Sequence, residues 1–140
     1  MDKTKVLFLC TGNSCRSQMA EGWTKALKSD SVEAFSAGIE THGLNPYAVK
    51  VMDEAGVDIS TQKSQNVEEF KDMIFDYVIT VCGDADRNCP FFPAKVKVVH
   101  VGFNDPPKLA KGLENEEDIL ECYRRVRDEI RDFIKNNSIF

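Results

Sequence analysis

A cysteine, a glycine-asparagine pair and an arginine lie close together in residues 10–17, near the start of the chain. Gly12 and Asn13 are residue types that tolerate a positive φ, which lets successive backbone N–H groups curl around an anion. Arg16 carries a planar, permanently charged group that can bind two oxygens of a tetrahedral anion. A cysteine in such a positive field is expected to have a lowered pKa and to react as a thiolate. The pattern predicts that Cys10 attacks a small bound oxyanion.

The backbone of this segment is assigned to oxyanion binding. The oxyanion-binding residues are Thr11, Gly12, Asn13, Ser14, Cys15 and Arg16. Ser17 is assigned a catalytic role as a hydrogen-bond donor to the Cys10 sulfur. Cys15 could act as a second reactive thiol, but a packing role suits a small buried cysteine better.

The flanking residues predict the elements that position this segment. Residues 5–10 form a short apolar run typical of a buried strand, and residues 17–28 carry apolar side chains at helical spacing. Anions bind between the end of a parallel strand and the start of the next helix, where backbone N–H groups and the helix dipole attract negative charge. A chance Cys-x5-Arg-Ser match is the alternative, and the strand and helix around it make chance a poorer explanation.

The remaining chain continues the alternation of strands and helices. Further strands are predicted at 32–37, 77–81 and 96–100, helices at 45–56 and from 115 onward, a short helix from 66, an irregular stretch at 82–93 and a loop at 104–107. This order predicts a single catalytic domain over 1–140, with a doubly wound α/β fold and a four-stranded parallel sheet flanked by helices.

Composition narrows the class of protein. Hydrophobic residues make up 42% of the chain and charged residues 29%, which is typical of a globular protein, and the net charge of −5 makes nucleic acid an improbable partner. No apolar run approaches the ~20 residues that span a bilayer, and no export signal is evident. The five cysteines then indicate a reducing compartment, so we expect a cytoplasmic protein without a membrane partner.

The motifs together resemble the low-molecular-weight protein tyrosine phosphatase family, whose signature joins Cys10, Arg16 and Ser17 to a late Asp105-Pro106 pair. The similarity extends to the thioredoxin-coupled arsenate reductases built on the same fold, through residues 10–17, 81–83, 88–90 and 104–107. Phosphatases of this fold usually have an aromatic residue after Asp-Pro, whereas this chain has Pro107. The departure favours the reductases.

The resemblance implies a relay of three cysteines that converts arsenate to arsenite. Cys10 would attack arsenate while Asp105 protonates the leaving oxygen, Cys82 would then attack Cys10, and Cys89 would attack Cys82. The resulting Cys82 to Cys89 disulfide would be reduced by thioredoxin. No cofactor is implied, phosphate and sulfate should compete with arsenate, and we expect a monomer. A tyrosine phosphatase and a sensor that binds anions without turnover are the alternatives.

The spacing of Cys82 and Cys89 limits the backbone conformations in which they can form a disulfide. Seven helical steps separate Cα atoms by ~10 Å, whereas a disulfide tolerates at most ~7 Å. Seven extended residues separate the Cα atoms by ~23 Å, so any regular structure of residues 83–88 must bend or unwind if Cys82 and Cys89 join, and we predict a conformational switch over residues 82–93. Two buried structural cysteines, or a zinc site completed by His100, are the alternatives.

Other residues receive no catalytic role. Cys122 is expected to fill the core, and His42 and His100 show no evident partner in the sequence. Asn13, Glu21 and Ser36 match positions that are implicated in monovalent cation binding in some relatives of this family. Gln65 stands at a position that is acidic in those relatives, so cation binding is left open.

Overall fold

The structure is a computed structural model that describes residues 3–82 and 92–140. The strands are β1 (Thr4–Leu9), β2 (Val32–Ala37), β3 (Tyr77–Thr80) and β4 (Lys97–His100). The helices are α1 (Arg16–Lys28), α2 (Pro46–Glu54), α3 (Pro106–Leu109) and α4 (Glu116–Asn136), with a 3-10 turn at Val67–Phe70. The strands pair in the order β2-β1-β3-β4, and every pairing is parallel. The predicted α/β fold with a four-stranded parallel sheet is confirmed.

Strand β1 is central, and its side chains alternate between two apolar layers. Val6 and Phe8 point into the larger cluster, which includes buried residues of α1, α2 and α4. Leu7 and Leu9 point into a smaller cluster on the other face, where Phe75 stands at the centre of several edge-to-face aromatic contacts. Burial on both faces explains why this strand reads as a continuous apolar run.

Capping residues set the starts of two helices as their types predict. The Asn45 side chain accepts from the N–H groups of Tyr47 and Ala48, and Pro46 occupies the first turn of α2. Asn115 caps α4 in the same way. Asn66 forms the predicted capping box with Glu69, but the element it starts is a 3-10 turn.

Two sequence-based expectations need correction. Residues 104–107 are not all loop, since Pro106 begins the short helix α3 and Asp105 immediately precedes it. Proline is compatible with the first helical turn because its missing N–H would have no partner there. Strand β4 begins at Lys97, one residue later than predicted, and it lies at the sheet edge, where it is largely exposed. Most of the predicted irregular stretch, residues 83–91, lies outside the described residues.

Within the residues that the structure describes, the helices are too short or too polar to cross a membrane.

Candidate active site

A cleft of about 360 Å³ opens at the carboxyl end of β1, above the start of α1. Its lining residues are Cys10, Thr11, Gly12, Ser14, Cys15, Arg16, His42, Asp105, Pro107 and Lys108. A water molecule occupies roughly 30 Å³ of liquid, so a tetrahedral oxyanion fits easily. The chain therefore folds residues 10–17 into the wall of a cleft, as their position between strand and helix predicts.

The carbonyl groups of residues 11–15 are all held by the surrounding protein. The backbone pairs are Thr11 O with Glu40 N (3.1 Å), Gly12 O with His42 N (3.1 Å), Ser14 O with Asn45 N (3.0 Å) and Cys15 O with Met19 N (2.9 Å). Asn13 O accepts from the Gln18 side chain at 3.0 Å. A trans peptide directs its N–H away from its C=O. Carbonyls held on the outside thus leave the N–H groups of the loop facing the cleft, which is what an anion requires.

Asn13 has the unusual backbone of this loop. Its φ of 45° is the only positive value at a non-glycine residue in residues 3–82 and 92–140. Its buried side chain accepts from Gln65 N at 2.7 Å and donates to Ser17 Oγ at 2.8 Å. The predicted left-handed conformation is confirmed at Asn13.

Gly12 does not have a positive φ, contrary to expectation. A Cβ at this position would lie 2.4 Å from Nδ1 of His42, so a side chain here would displace the exposed His42 ring.

Arg16 and Asp105 are brought together across the fold. The buried Arg16 guanidinium donates from Nη1 to Phe103 O at 3.1 Å, and its Nε lies 3.6 Å from Asp105 Oδ1. Asp105 precedes α3 and is partly exposed on the cleft wall. The loop arginine and the acid assigned from Asp-Pro therefore share one cleft, as required if one binds the anion and the other delivers a proton.

Cys10 and Cys82 are both buried, and Cys82 is close enough to raise the pKa of the Cys10 thiol. Cys82 Sγ also lies 3.9 Å from Thr11 Oγ1 and 3.9 Å from Leu9 O. Cys10 comes directly after β1 and Cys82 comes two residues after the end of β3, and because the two strands pair, the sheet places the two cysteines near each other.

The hydrogen bond to Cys82 and burial raise the pKa of Cys10, and the nearby Arg16 charge lowers it by less. This direction is opposite to the predicted lowering of the Cys10 pKa. The prediction counted the positive field but not the second buried sulfur.

The other predicted site residues have defined surroundings. Ser17 is buried, and its Oγ accepts from Asn13, so its donation to the Cys10 sulfur stays a prediction. Burial raises the pKa of Cys15 well above its ordinary value, which fits a packing role. Cys89 lies outside the described residues.

The positions considered for a monovalent cation have protein partners. Glu21 is buried and accepts from Ser36 Oγ at 2.5 Å, and the Lys25 ammonium contacts its other oxygen. Gln65 contributes its backbone N–H to Asn13. In the described portions of the chain, no three His, Cys, Asp or Glu side chains are grouped as a metal site would need.

Both histidines and Cys122 contact other residues of the fold. His42 Nε2 lies 2.6 Å from Glu40 Oε2 at the cleft, and His100 Nδ1 lies 2.6 Å from Thr80 Oγ1, so both have partners that the sequence did not reveal. Cys122 is partly buried against the larger apolar cluster, in agreement with the packing role expected of it.

Sequence reasoning also missed the cleft-lining residues Lys108 and His42 and the buried support from Gln18. Gln18 had a readable signal, because it is a polar residue next to Met19 and Ala20 at the start of a helix that packs on the core. Lys108 and His42 had none, since neither lies in a motif.

Comparison with known proteins gives a consistent result. The family model for low molecular weight phosphotyrosine protein phosphatase matches residues 5–137. The arsenate reductase of Bacillus licheniformis is 54% identical over 135 residues, covering 96% of this chain and 95% of that protein. A solved arsenate reductase in the phosphate binding state is 33% identical with a TM-score of 0.77, covering 95% of both chains. The Corynebacterium glutamicum thioredoxin-dependent arsenate reductase is 29% identical with a TM-score of 0.63, covering 95% of this chain and 61% of that one.

Proposed function

The chain belongs to the low molecular weight phosphotyrosine protein phosphatase family, and we propose that it is an arsenate reductase whose Cys10, Cys82 and Cys89 form a relay that thioredoxin regenerates. The observation that carries the proposal is a second buried sulfur beside the nucleophile at the cleft, since Cys82 Sγ lies 3.9 Å from Leu9 O and 3.9 Å from Thr11 Oγ1, the two neighbours of Cys10. A phosphatase needs one nucleophilic thiol. Reduction of arsenate needs two electrons, which two thiols supply when they form a disulfide.

The first step uses the groups that line the cleft. Arsenate binds to the loop N–H groups and Arg16, with phosphate or sulfate as competitors of the same shape. Cys10 attacks arsenic as the thiolate, with the proton of the sulfur pair residing on Cys82. An S–As bond forms, and an oxygen leaves as water after Asp105 donates a proton. Ser17 supports the Cys10 thiolate by donating its hydroxyl hydrogen.

The electrons move in the second step. Cys82 gives its proton to the Asp105 carboxylate left by the first step and attacks the Cys10 sulfur, the electron pair of the S–As bond passes to arsenic, and arsenite leaves. Arsenic is reduced by two electrons, and Cys10 and Cys82 are oxidised to a disulfide. Cys89 then attacks Cys82 and releases Cys10 as a thiolate, and the dithiol of thioredoxin reduces the Cys82 to Cys89 disulfide. The need for reduced thiols favours the cytoplasm as the site of the reaction. The working unit in this proposal is a monomer.

A tyrosine phosphatase is the second candidate, favoured by the family match and the shared anion cleft. Pro107 lines the cleft where such phosphatases carry an aromatic residue for the phenol ring. We therefore expect arsenate turnover to exceed hydrolysis of an aryl phosphate. Faster hydrolysis than arsenate reduction would assign the chain to the phosphatases.

A single-turnover experiment tests the relay. Cys82→Ser removes the second thiol, so arsenite should not exceed one equivalent per enzyme in the presence of thioredoxin, its reductase and NADPH. Cys122→Ser is the matched control, because Cys122 lies on α4 outside the cleft, and it should sustain NADPH consumption. Continued turnover by Cys82→Ser would reject the relay.

A further inference from the structure

Asn13 differs from its neighbours in how its carbonyl is held. The carbonyls of residues 11, 12, 14 and 15 accept from backbone N–H groups, which no substitution short of proline removes. Among the described residues, the carbonyl of Asn13 accepts from a side chain alone, through Gln18 Nε2 at 3.0 Å. This carbonyl belongs to the peptide that directs the Ser14 N–H toward the cleft.

Gln18 is suited to hold that peptide because it is buried and fixed at both ends. Its Nε2 also lies 3.1 Å from Asn13 Oδ1 and 3.0 Å from Lys63 O. Its Oε1 accepts from Gln62 Nε2 at 2.8 Å, and its backbone carbonyl accepts from the same nitrogen at 3.0 Å. Gln62 thus sets the orientation of the Gln18 amide with its nitrogen toward Asn13.

The Asn13 backbone needs such support. A left-handed conformation costs an L-residue roughly 1–2 kcal/mol, less for Asn than for most side chains. A buried carbonyl without a donor costs more than an exposed one. Without Gln18, the peptide between Asn13 and Ser14 would gain by rotating its oxygen toward the cleft, where it would repel an oxyanion.

We propose that Gln18 is a positioning residue that keeps the Asn13–Ser14 peptide with its N–H toward the bound oxyanion. The inference deepens the proposed function, since the anion held is its substrate, but it concerns binding before any redox step. It can be tested with inorganic phosphate, so its failure and the failure of arsenate reduction are distinguishable.

Two variants remove the donor in different ways. Gln18→Met keeps the length of the side chain without its amide, and Gln18→Glu keeps an acceptor for Gln62 but places a carboxylate against the Asn13 carbonyl. Both should weaken inorganic phosphate binding, measured by calorimetry on the reduced protein, by at least about tenfold. In the arsenate assay KM should rise, while kcat at saturation changes little because Gln18 does not contact the reacting atoms.

Ser64→Ala is the matched control. Ser64 Oγ donates to Gly12 O at 3.2 Å, but that carbonyl keeps the N–H of His42. Phosphate affinity should therefore stay within about twofold of the parent protein. An equal loss in Ser64→Ala and Gln18→Met would attribute the effect to general loosening of the loop and would overturn the assignment.

A local signature separates positioning from global stability. In the parent protein the Ser14 amide resonance should shift strongly on phosphate titration, and in the Gln18 variants this response should be largely lost while thermal melting still shows a folded protein. Parent-like phosphate affinity in either folded Gln18 variant would overturn the proposal. If neither folds, Gln62→Leu, which removes only the group that orients Gln18, decides: a parent-like Ser14 response and affinity would overturn it.

Discussion

At the scale of single residues, the proposed chemistry depends on the placement of Cys82 beside Cys10. Arg16 favours the Cys10 thiolate, whereas the Cys82 sulfur and burial favour the thiol, and the latter effects are larger in the ligand-free site. A resting enzyme with a protonated Cys10 is protected from adventitious oxidation, because the thiolate is the reactive form.

The first prediction concerns the pKa of Cys10 in the Cys82→Ala variant. The Cys82 sulfur is the largest cause of the raised pKa, and its removal should lower the pKa. The pH at which iodoacetamide labels Cys10 at half its maximal rate, followed by peptide mass spectrometry, should therefore move to lower pH. Cys122→Ala should leave the Cys10 profile unchanged. A Cys10 profile that stays in place or moves to higher pH in Cys82→Ala would contradict this account of the pair.

At the scale of elements, the loop of residues 10–17 is shaped by the segment that follows β2. Gly38 comes directly after β2 and packs against the loop, and a Cβ there would lie 2.6 Å from Thr11 O, 2.7 Å from Cys10 O and 2.9 Å from Asn13 N. All three atoms belong to the backbone, which cannot rotate away as a side chain can. The loop therefore keeps its shape only while this position has no side chain.

The second prediction follows from that contact. Gly38→Ala should displace the loop backbone, lower the free energy of unfolding by about 1–3 kcal/mol and abolish measurable phosphate binding. Gly22→Ala is the matched overpacking control, because a Cβ there would lie 2.5 Å from Ile59 Cγ2 and 3.2 Å from Met52 Cε, both in side chains of the core. It should also reduce stability, while the folded protein retains phosphate affinity. Denaturant unfolding and calorimetry measure the two effects, and retained phosphate affinity in Gly38→Ala would be inconsistent with this role of Gly38.

At the scale of the whole molecule, the sheet brings the reacting groups together but also buries them. Cys82 is inaccessible to solvent in the structure, and the proposed final disulfide has to reach a second protein. Helix α4 packs in the larger cluster and contacts α1 and α2. We therefore expect a redox-dependent rearrangement confined to the chain after β3, with the layered core unchanged.

The third prediction tests that rearrangement. Oxidation to the Cys82 to Cys89 disulfide should change amide exchange in residues 82–93. The reason is that seven residues of helix or of extended chain hold the two Cα atoms too far apart for a disulfide. Exchange in α4 should be the same in reduced and oxidised protein and serves as the internal reference. Identical exchange of residues 82–93 in the two states would argue against the relay. Exchange changes spread over α4 would instead indicate global destabilisation.

Much of the fold could be predicted because its signals are local. The apolar run of β1, the asparagine caps at Asn45 and Asn115 and the helical stripe of α4 each depend on neighbouring residues. The α3 turn was missed, since two prolines after Asp105 are equally compatible with a loop and with the first turn of a helix. The edge position of β4 was also missed, because a short apolar run does not reveal which side of it is paired.

The sequence by itself determined the loop of residues 10–17 between a strand and a helix, the positive φ at Asn13 and the alternation of strands and helices. These features follow from residue types within a few positions of one another. Only the tertiary structure decided that Cys82 lies against the neighbours of Cys10, that Asp105 lies beside Arg16 and that Gln18 holds the Asn13 carbonyl. The tertiary structure also decided the direction in which the Cys10 pKa is shifted. The physical reason is the same throughout: the protonation of a buried group depends on the charges and hydrogen bonds that surround it in space, and parallel strands bring together residues that are far apart in the chain.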